Sequence, residues 1–203
     1  SALDCDKEFV PAALIRAGLI SDVKSQRKAV SLIESFCKRK PHPKVLEAYV
    51  KLWQKEEDLQ KYQRLQNLLD HKVVDDEVIL FMAQSALNAH LWREARRKIE
   101  LIIEKKVTVS YCLLMSELER LEMHDDNLSK SWLEKASRAL PDKTWACNRC
   151  GAVALEWSAT CGNCHAFDTI IWKEPPRVEH LHSVLVSEDE DQQAPIIENE
   201  KLE

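Results

Sequence analysis

Two C-x-x-C pairs near the end of the chain constrain its fold more than any other feature. Cys147 and Cys150 form the first pair, Cys161 and Cys164 form the second, and 10 residues lie between them. Each pair can supply two thiolates at about 2.3 Å from a metal ion, and two such pairs complete a tetrahedron. The spacing therefore predicts a site for one metal ion, with zinc favoured, whose ligands are Cys147, Cys150, Cys161 and Cys164.

A closed four-sulfur site leaves no coordination position for water or substrate, which indicates a structural role. Iron in a rubredoxin-like centre is the alternative metal, because tetrahedral sulfur suits both ions. A redox pair is disfavoured, since a thioredoxin-type motif occurs singly on a βαβ unit that this sequence lacks. His165 is a crowded alternative ligand directly after Cys164, and Gly151 is expected to adopt a positive φ in a turn whose N–H groups face the sulfurs.

The remaining cysteines and the hydropathy pattern bear on the compartment. The chain contains 7 cysteines, an odd number, and Cys5, Cys37 and Cys112 are scattered along helical patterns. This distribution is typical of a reducing compartment rather than of a disulfide framework. No stretch approaches the roughly 18 to 20 apolar residues of a membrane span, so these residues are expected to be soluble.

The first two thirds of the chain predict helices. Only 3 Gly and 7 Pro occur in 203 residues, and from residue 7 to residue 140 the apolar positions follow amphipathic helical spacing, broken by polar joints at residues 38–43 and 124–127. Small residues recur 12 positions apart, with a bulky apolar residue 4 further on. The sets are Ala17, Ala29, Ile33 and Pro41, followed 66 residues later by Ala83, Ala95 and Ile99.

A distance of 66 residues is about two tetratricopeptide repeats, so the pattern predicts an antiparallel helix-pair solenoid of three to four repeats. The unit at residues 48–69 is degenerate. The last set needs an insertion of about one residue, and it comprises Ser116, Ser129, Leu133, Ala136 and Pro141. In each unit the small residues allow close helix approach and the bulky one is expected to seal the next layer. An irregular helical bundle is the alternative.

These observations predict three segments: tetratricopeptide-like repeats at residues 1–142, a four-cysteine zinc knuckle with short β structure at residues 143–176, and an acidic tail at residues 177–203, interpreted as disordered. Residues 188–203 carry seven acids and one Lys, a net charge of -6, whereas the whole chain has a net charge of -5. The remainder is near neutral and has no concentrated basic surface, so nucleic acid is not the expected partner.

No catalytic constellation is recognisable: the sequence has no Gly-rich phosphate loop, no nucleophile elbow and no His-Glu-x-x-His helix. The chain is therefore predicted not to be an enzyme, and protein partners are expected to bind through the first helices of successive repeats. His42, between two prolines, is interpreted as a helix-capping or exposed residue. Trp145, Trp157 and Trp172, with Phe167, are expected to wrap the metal site and attach it to the last helix pair.

Several segments resemble one bacterial family. The sequence FVPAA at residues 9–13, KPHP at residues 40–43 and SWLEKA at residues 131–136 resemble the C-terminal repeat region of HemY-type proteins of alphaproteobacteria. Residues 145–172, with EWS and FDT beside the cysteine pairs, resemble the zinc knuckle that closes those proteins. The resemblance covers about residues 7–176, and it is more distinctive in the knuckle than in the repeats.

Membership of that family would imply a scaffold on the cytoplasmic face of the bacterial inner membrane, associated by name with haem biosynthesis. Such proteins are held by N-terminal membrane helices, a segment that this sequence lacks. The lipopolysaccharide assembly protein LapB is similar in layout, with tetratricopeptide repeats before a rubredoxin-like domain. It implies an alternative role, that of an adaptor for a membrane protease. No enzymatic step follows from either resemblance.

Overall fold

The computed structural model describes residues 6–23, 25–69, 75–102 and 107–176. Within these ranges the protein is mainly helical, with one small antiparallel sheet of three strands, as the sequence predicts for its two ordered parts. None of the helices in these ranges combines the length and the apolar composition of a membrane span. Cys5 and the acidic tail at residues 177–203 lie outside the described residues.

Eight α-helices precede the sheet in the described chain. In chain order they are α1 (Val10–Val23), α2 (Gln26–Cys37), α3 (Pro43–Lys51), α4 (Asp58–Leu69), α5 (Asp76–Asn88), α6 (Trp92–Ile99), α7 (Val109–Leu118) and α8 (Asp126–Ala136). A π-helical turn, Glu119–Met123, joins α7 to α8. Helices α1 and α2, α5 and α6, and α7 and α8 pack as neighbouring pairs.

The small residues singled out in the sequence lie where paired helices meet. Ala17 of α1 and Ala29 of α2 are buried, and so are Ala83 of α5 and Ala95 of α6. Small side chains at these positions let two helix backbones approach closely. The bulky residues that follow, Ile33 and Ile99, are also buried, and the helices that carry them, α2 and α6, each contact the next helix along the chain.

The last pair of helices uses a polar version of the same contact. Ser116 of α7 and Ser129 of α8 are both buried, and their hydroxyl oxygens lie 2.8 Å apart in a hydrogen bond. Leu133 was expected to seal a further layer, and that expectation is wrong, since its side chain is 49% exposed. The physical reason is that no further helix follows α8 in the described chain, which turns instead into the sheet.

The sheet has the order β2-β1-β3, with β1 (Thr144–Cys147) in the centre and β2 (Val153–Ala154) and β3 (Ile170–Lys173) on either side. Both pairings are antiparallel, and Trp145 lies opposite Trp172 in the register of β1 and β3. The segment that leads into β1 is fixed at the start of α7. There, Asp142 accepts hydrogen bonds from the backbone N–H and the hydroxyl of Ser110, at 2.9 and 2.7 Å.

The cysteine knuckle contacts the beginnings of alternate helices. Phe9, just before α1, packs edge-on against Trp157, with ring centroids 5.4 Å apart. His42, the N-cap of α3, lies 4.9 Å from the ring of Trp172. Glu77, in the first turn of α5, accepts a hydrogen bond from the indole N–H of Trp172 at 2.8 Å. We call Phe9, His42 and Glu77 together the helix-start surface.

The expectation that the aromatic residues attach the knuckle to the last helix pair is therefore wrong. Asp142 fixes the linker at the N-terminal end of α7, and the helix-start surface is built from the N-terminal ends of α1, α3 and α5. Strand β1 begins directly after Lys143, whose side chain forms an ion pair with Glu77. The chain thus turns back over the earlier helices, where His42 and Phe9 offer aromatic partners.

Candidate metal centre

The structure brings together the four cysteines that the sequence predicts as ligands. Their Sγ atoms all lie within 4.8 Å of one another. The Sγ atoms of Cys147 and Cys164 are 3.7 Å apart, as are those of Cys150 and Cys161. A tetrahedron with metal–sulfur bonds of about 2.3 Å has edges of about 3.8 Å. The sulfurs are free thiols, and their spacing fits one metal ion between them.

The first half of the centre is a tight turn at the end of β1. The backbone N–H of Cys147 donates to the carbonyl of Ala152 at 2.8 Å, and the N–H of Gly151 donates to the carbonyl of Cys147 at 3.0 Å. Gly151 has a φ of 75°, as predicted, a conformation that costs glycine little because it has no Cβ. The turn holds both sulfurs of the first pair on one side.

The second half repeats this arrangement. The N–H of Cys161 donates to the carbonyl of Ala166, and the N–H of His165 donates to the carbonyl of Cys161, both at 2.9 Å. His165 has a φ of 54° and takes the place that Gly151 has in the first turn. His165 is therefore a turn residue, and the cluster of potential ligands found in the described residues contains cysteines alone.

Hydrogen-bond donors surround the sulfurs. The backbone N–H groups of Arg149 and Cys150 lie 3.4 and 3.5 Å from Sγ of Cys147. The side-chain amide of Asn163 lies 3.5 Å from Sγ of Cys150. The protonated thiol of Cys147 donates to Oγ1 of Thr169 at 3.3 Å, and the Thr169 hydroxyl donates to the carbonyl oxygen of Ala166 at 3.2 Å. When Cys147 is ionised, the same hydroxyl can donate to its sulfur. Such outer contacts stabilise thiolates and orient them for a metal.

These contacts affect the acidity of the thiols unequally. Hydrogen bonding by Thr169, with the backbone N–H groups of Cys150 and Arg149, lowers the pKa of Cys147 to about 5. At Cys164 the N–H of Ala166 favours ionisation, but burial and the neighbouring sulfurs outweigh it and raise the pKa to about 11. Several negative sulfurs at this distance repel one another. A divalent cation at their centre would remove that repulsion.

The geometry limits the chemistry of the centre. Cys147 and Cys161 are buried, Cys164 is half-buried and Cys150 is exposed. If all four sulfurs bind one ion, its tetrahedral shell is complete, and neither water nor substrate can reach it without displacing a ligand. The arrangement therefore suits a metal that holds the fold together.

Sequence reasoning missed two residues that position the knuckle, His42 and Glu77. His42 is 8% exposed; its Nδ1 accepts a hydrogen bond from the N–H of Lys44 at 3.2 Å, so the predicted capping role is confirmed. Its Nε2 is buried and has no hydrogen-bond partner among the described residues. Burial is the main cause that lowers the pKa of His42 to about 4, and it outweighs the opposing charge of Glu77. The Pro-His-Pro sequence was the signal that could have drawn attention to His42, whereas no sequence motif marks Glu77.

Comparison with known proteins gives a partial match. No protein-family profile matches the chain. The chain is 28% identical over 181 residues to "Probable magnetosome protein Mms48" of Magnetospirillum gryphiswaldense (strain DSM 6361 / JCM 21280 / NBRC 15271 / MSR-1). The match covers 88% of this chain but 40% of that protein. The chain is thus similar to a part of this relative and spans less than half of its length.

Proposed function

We propose that this protein is a non-catalytic scaffold for protein–protein interaction, stabilised by one structural zinc ion. The observation that carries the proposal is the sulfur cluster, whose 3.7 Å separations match a closed tetrahedral site. A knuckle of this size is too small for a hydrophobic core of its own, so the metal supplies much of its folding free energy. The remaining described residues form packed helices, among them three neighbouring pairs, and such an array suits binding to another protein.

We further propose that the helices form a tetratricopeptide-like solenoid. The 66-residue separation between the α1–α2 pair and the α5–α6 pair supports this, as does the burial of Ala17 with Ala29 and of Ala83 with Ala95. The hydrogen bond between Ser116 and Ser129 supplies an equivalent contact in the last pair. Partners would bind surface residues that successive pairs present side by side.

The resemblance to HemY-type proteins supports a place on the cytoplasmic face of a bacterial inner membrane, where proteins of that type are attached by N-terminal membrane helices. An adaptor of the LapB kind, serving a membrane protease in lipopolysaccharide assembly, is the alternative within the same class. The match over 88% of the chain to a probable magnetosome protein favours a magnetosome-associated scaffold as a second candidate.

Metal analysis separates the scaffold from an iron electron carrier. Purified protein should contain one equivalent of zinc and be colourless, because zinc has no d–d transitions. An iron centre at the same sulfurs would absorb visible light and bleach on reduction, and that result would replace the scaffold with a rubredoxin-like redox protein.

Affinity capture from membranes tests the scaffold itself. The wild type is compared with a Cys147→Ser/Cys150→Ser variant and with Cys112→Ser, a matched control for a buried cysteine outside the cluster. We expect a defined set of proteins to be retained by the wild type and by Cys112→Ser, with recovery reduced in the double variant. If no protein is enriched by the wild type over an unrelated bait, the scaffold proposal fails.

A further inference from the structure

The knuckle covers part of the helical array. Trp172 and Trp145 lie on adjacent strands, with ring centroids 5.2 Å apart, and His42 is packed against both. Trp157 covers Phe9 in the same way. Three tryptophans of the knuckle thus cover the helix-start surface, in which His42 is buried and Phe9 and Glu77 are half-buried. A cleft of about 380 Å³ lies between the knuckle and the helical array.

The Glu77 carboxylate forms a polar link across this boundary, in addition to the hydrogen bonds that Asp142 of the linker accepts from Ser110. Glu77 accepts the indole N–H of Trp172 at 2.8 Å through Oε2, and its Oε1 lies 2.5 Å from Nζ of Lys143. Both donors belong to the knuckle or to its linker, whereas Glu77 belongs to α5. The Glu77 side chain is 23% exposed, and charge-assisted hydrogen bonds in such partly buried places are stronger than neutral ones.

The cover depends on the metal centre for its shape. Cys147 is the last residue of β1, two positions after Trp145, and it pairs with Ile170 of β3, two positions before Trp172. The register that sets the two tryptophans opposite each other therefore ends at the sulfur cluster. Without a bound ion, a knuckle that lacks its own core has little to hold this register.

We propose that the metal-loaded knuckle is a releasable cover over the helix-start surface, latched by Glu77. The inference rests on the proposed function, because the covered surface belongs to the helical scaffold, and it adds regulation of that surface. Release of the latch, or loss of the metal, uncovers His42 and Phe9 without unfolding the helices.

Chemical modification of His42 by diethylpyrocarbonate, followed by mass spectrometry of the full chain, tests this inference. The reagent modifies accessible imidazole, and the buried Nε2 of His42 should react slowly in the wild type. His90 and His124 are exposed and serve as internal references. The variants are Glu77→Ala, Cys147→Ser/Cys150→Ser, and Asp76→Ala. Asp76 is an exposed acid beside Glu77 in the same helical turn and serves as the matched control.

We expect His42 to react about tenfold faster, or more, in Glu77→Ala, since losing two charge-assisted hydrogen bonds shifts an opening equilibrium by that order. We expect a rate increase of the same order in the cysteine variant, because it lacks the metal that holds the strand register. The reference histidines and Asp76→Ala should keep wild-type rates, and helical circular dichroism should not change. An unchanged His42 rate in both variants would overturn the inference, as would faster reaction accompanied by loss of helix.

The metal content of the same samples separates this inference from the proposed function. Wild-type protein without bound metal would contradict the structural zinc site itself. Glu77→Ala protein that holds one metal ion while His42 stays slow would contradict only the latch.

Discussion

Gly151 and His165 occupy the same position in the two turns that surround the sulfur cluster, with φ values of 75° and 54°. Each residue donates its backbone N–H to the carbonyl of the first cysteine of its own pair, at 3.0 and 2.9 Å. The two halves of the centre are thus built alike, although one uses glycine and the other histidine. In the first turn, Gly151 also has a close neighbour, Pro176.

This constraint makes Gly151 the more sensitive glycine of the knuckle. Gly151 has a positive φ, and a Cβ added there would lie 3.0 Å from Cγ of Pro176. A Cβ added at Gly162 would meet nothing within 4 Å. We expect Gly151→Ala to lower the free energy of unfolding by about 1 kcal/mol or more. Gly162→Ala is the control and should be near neutral in the same denaturant titration. Equal stability of the two variants would contradict the assigned turn.

Thr169 should tune the affinity of the metal centre. Its Oγ1 lies 3.3 Å from Sγ of Cys147, and loss of such an outer contact typically weakens metal binding by roughly 10- to 100-fold. Thr169→Val should therefore release zinc to a competing chelator at a lower chelator concentration than the wild type does. Thr160→Val changes an exposed threonine of the same knuckle and should behave as the wild type. Identical competition curves for all three proteins would exclude this role.

The buried serine pair predicts non-additive substitutions. Removal of one hydroxyl, in Ser116→Ala or Ser129→Ala, leaves the other buried without its partner, which costs about 1 to 3 kcal/mol. The double variant removes both groups and should be less destabilised than the sum of the single changes. Chemical denaturation of the four proteins measures the coupling. Strict additivity would mean that the two hydroxyls do not interact.

His42 predicts a loss of stability in mild acid. Its pKa is lowered from 6.5 to about 4 in the folded protein, chiefly by burial, so the unfolded chain takes up the proton first as the pH falls. Stability should therefore fall between pH 6.5 and about 4, by up to about 3 kcal/mol. His42→Asn keeps a helix-capping side chain and removes this titration.

The control for this prediction is His90→Asn, because His90 is exposed and its positive φ suits asparagine. The free energy of unfolding should depend less steeply on pH in His42→Asn than in the wild type or in His90→Asn over this range. Parallel curves for all three proteins would show that His42 titrates with an ordinary pKa.

The sequence was most informative where chemistry or packing is local. The spacing of the cysteine pairs brings Cys147 and Cys161 into one cluster because each pair forms its own turn. The small residues Ala17 and Ala29 are buried as predicted, since their 12-residue separation follows from two helices and a short joint. Such local patterns need no knowledge of distant contacts.

The long-range contacts were not predictable in this way. Glu77 and Trp172 are 95 residues apart, and neither the helical pattern around Glu77 nor the knuckle motif indicates that they meet. The exposure of Leu133 was missed for a related reason: its position in the repeat is ordinary, but no helix follows to cover it. The hydrogen bond between Asp142 and Ser110 fixes the path of the linker. That path brings Trp172 to Glu77 and leaves Leu133 exposed.

X-ray absorption at the zinc edge of the purified protein, with elemental analysis of the same sample, determines whether one structural zinc ion closes the knuckle. We expect one zinc per chain with four sulfur neighbours at about 2.3 Å and no oxygen or nitrogen ligand. Bound iron, a shell that contains water or histidine, or cysteines paired as disulfides without metal would contradict this expectation.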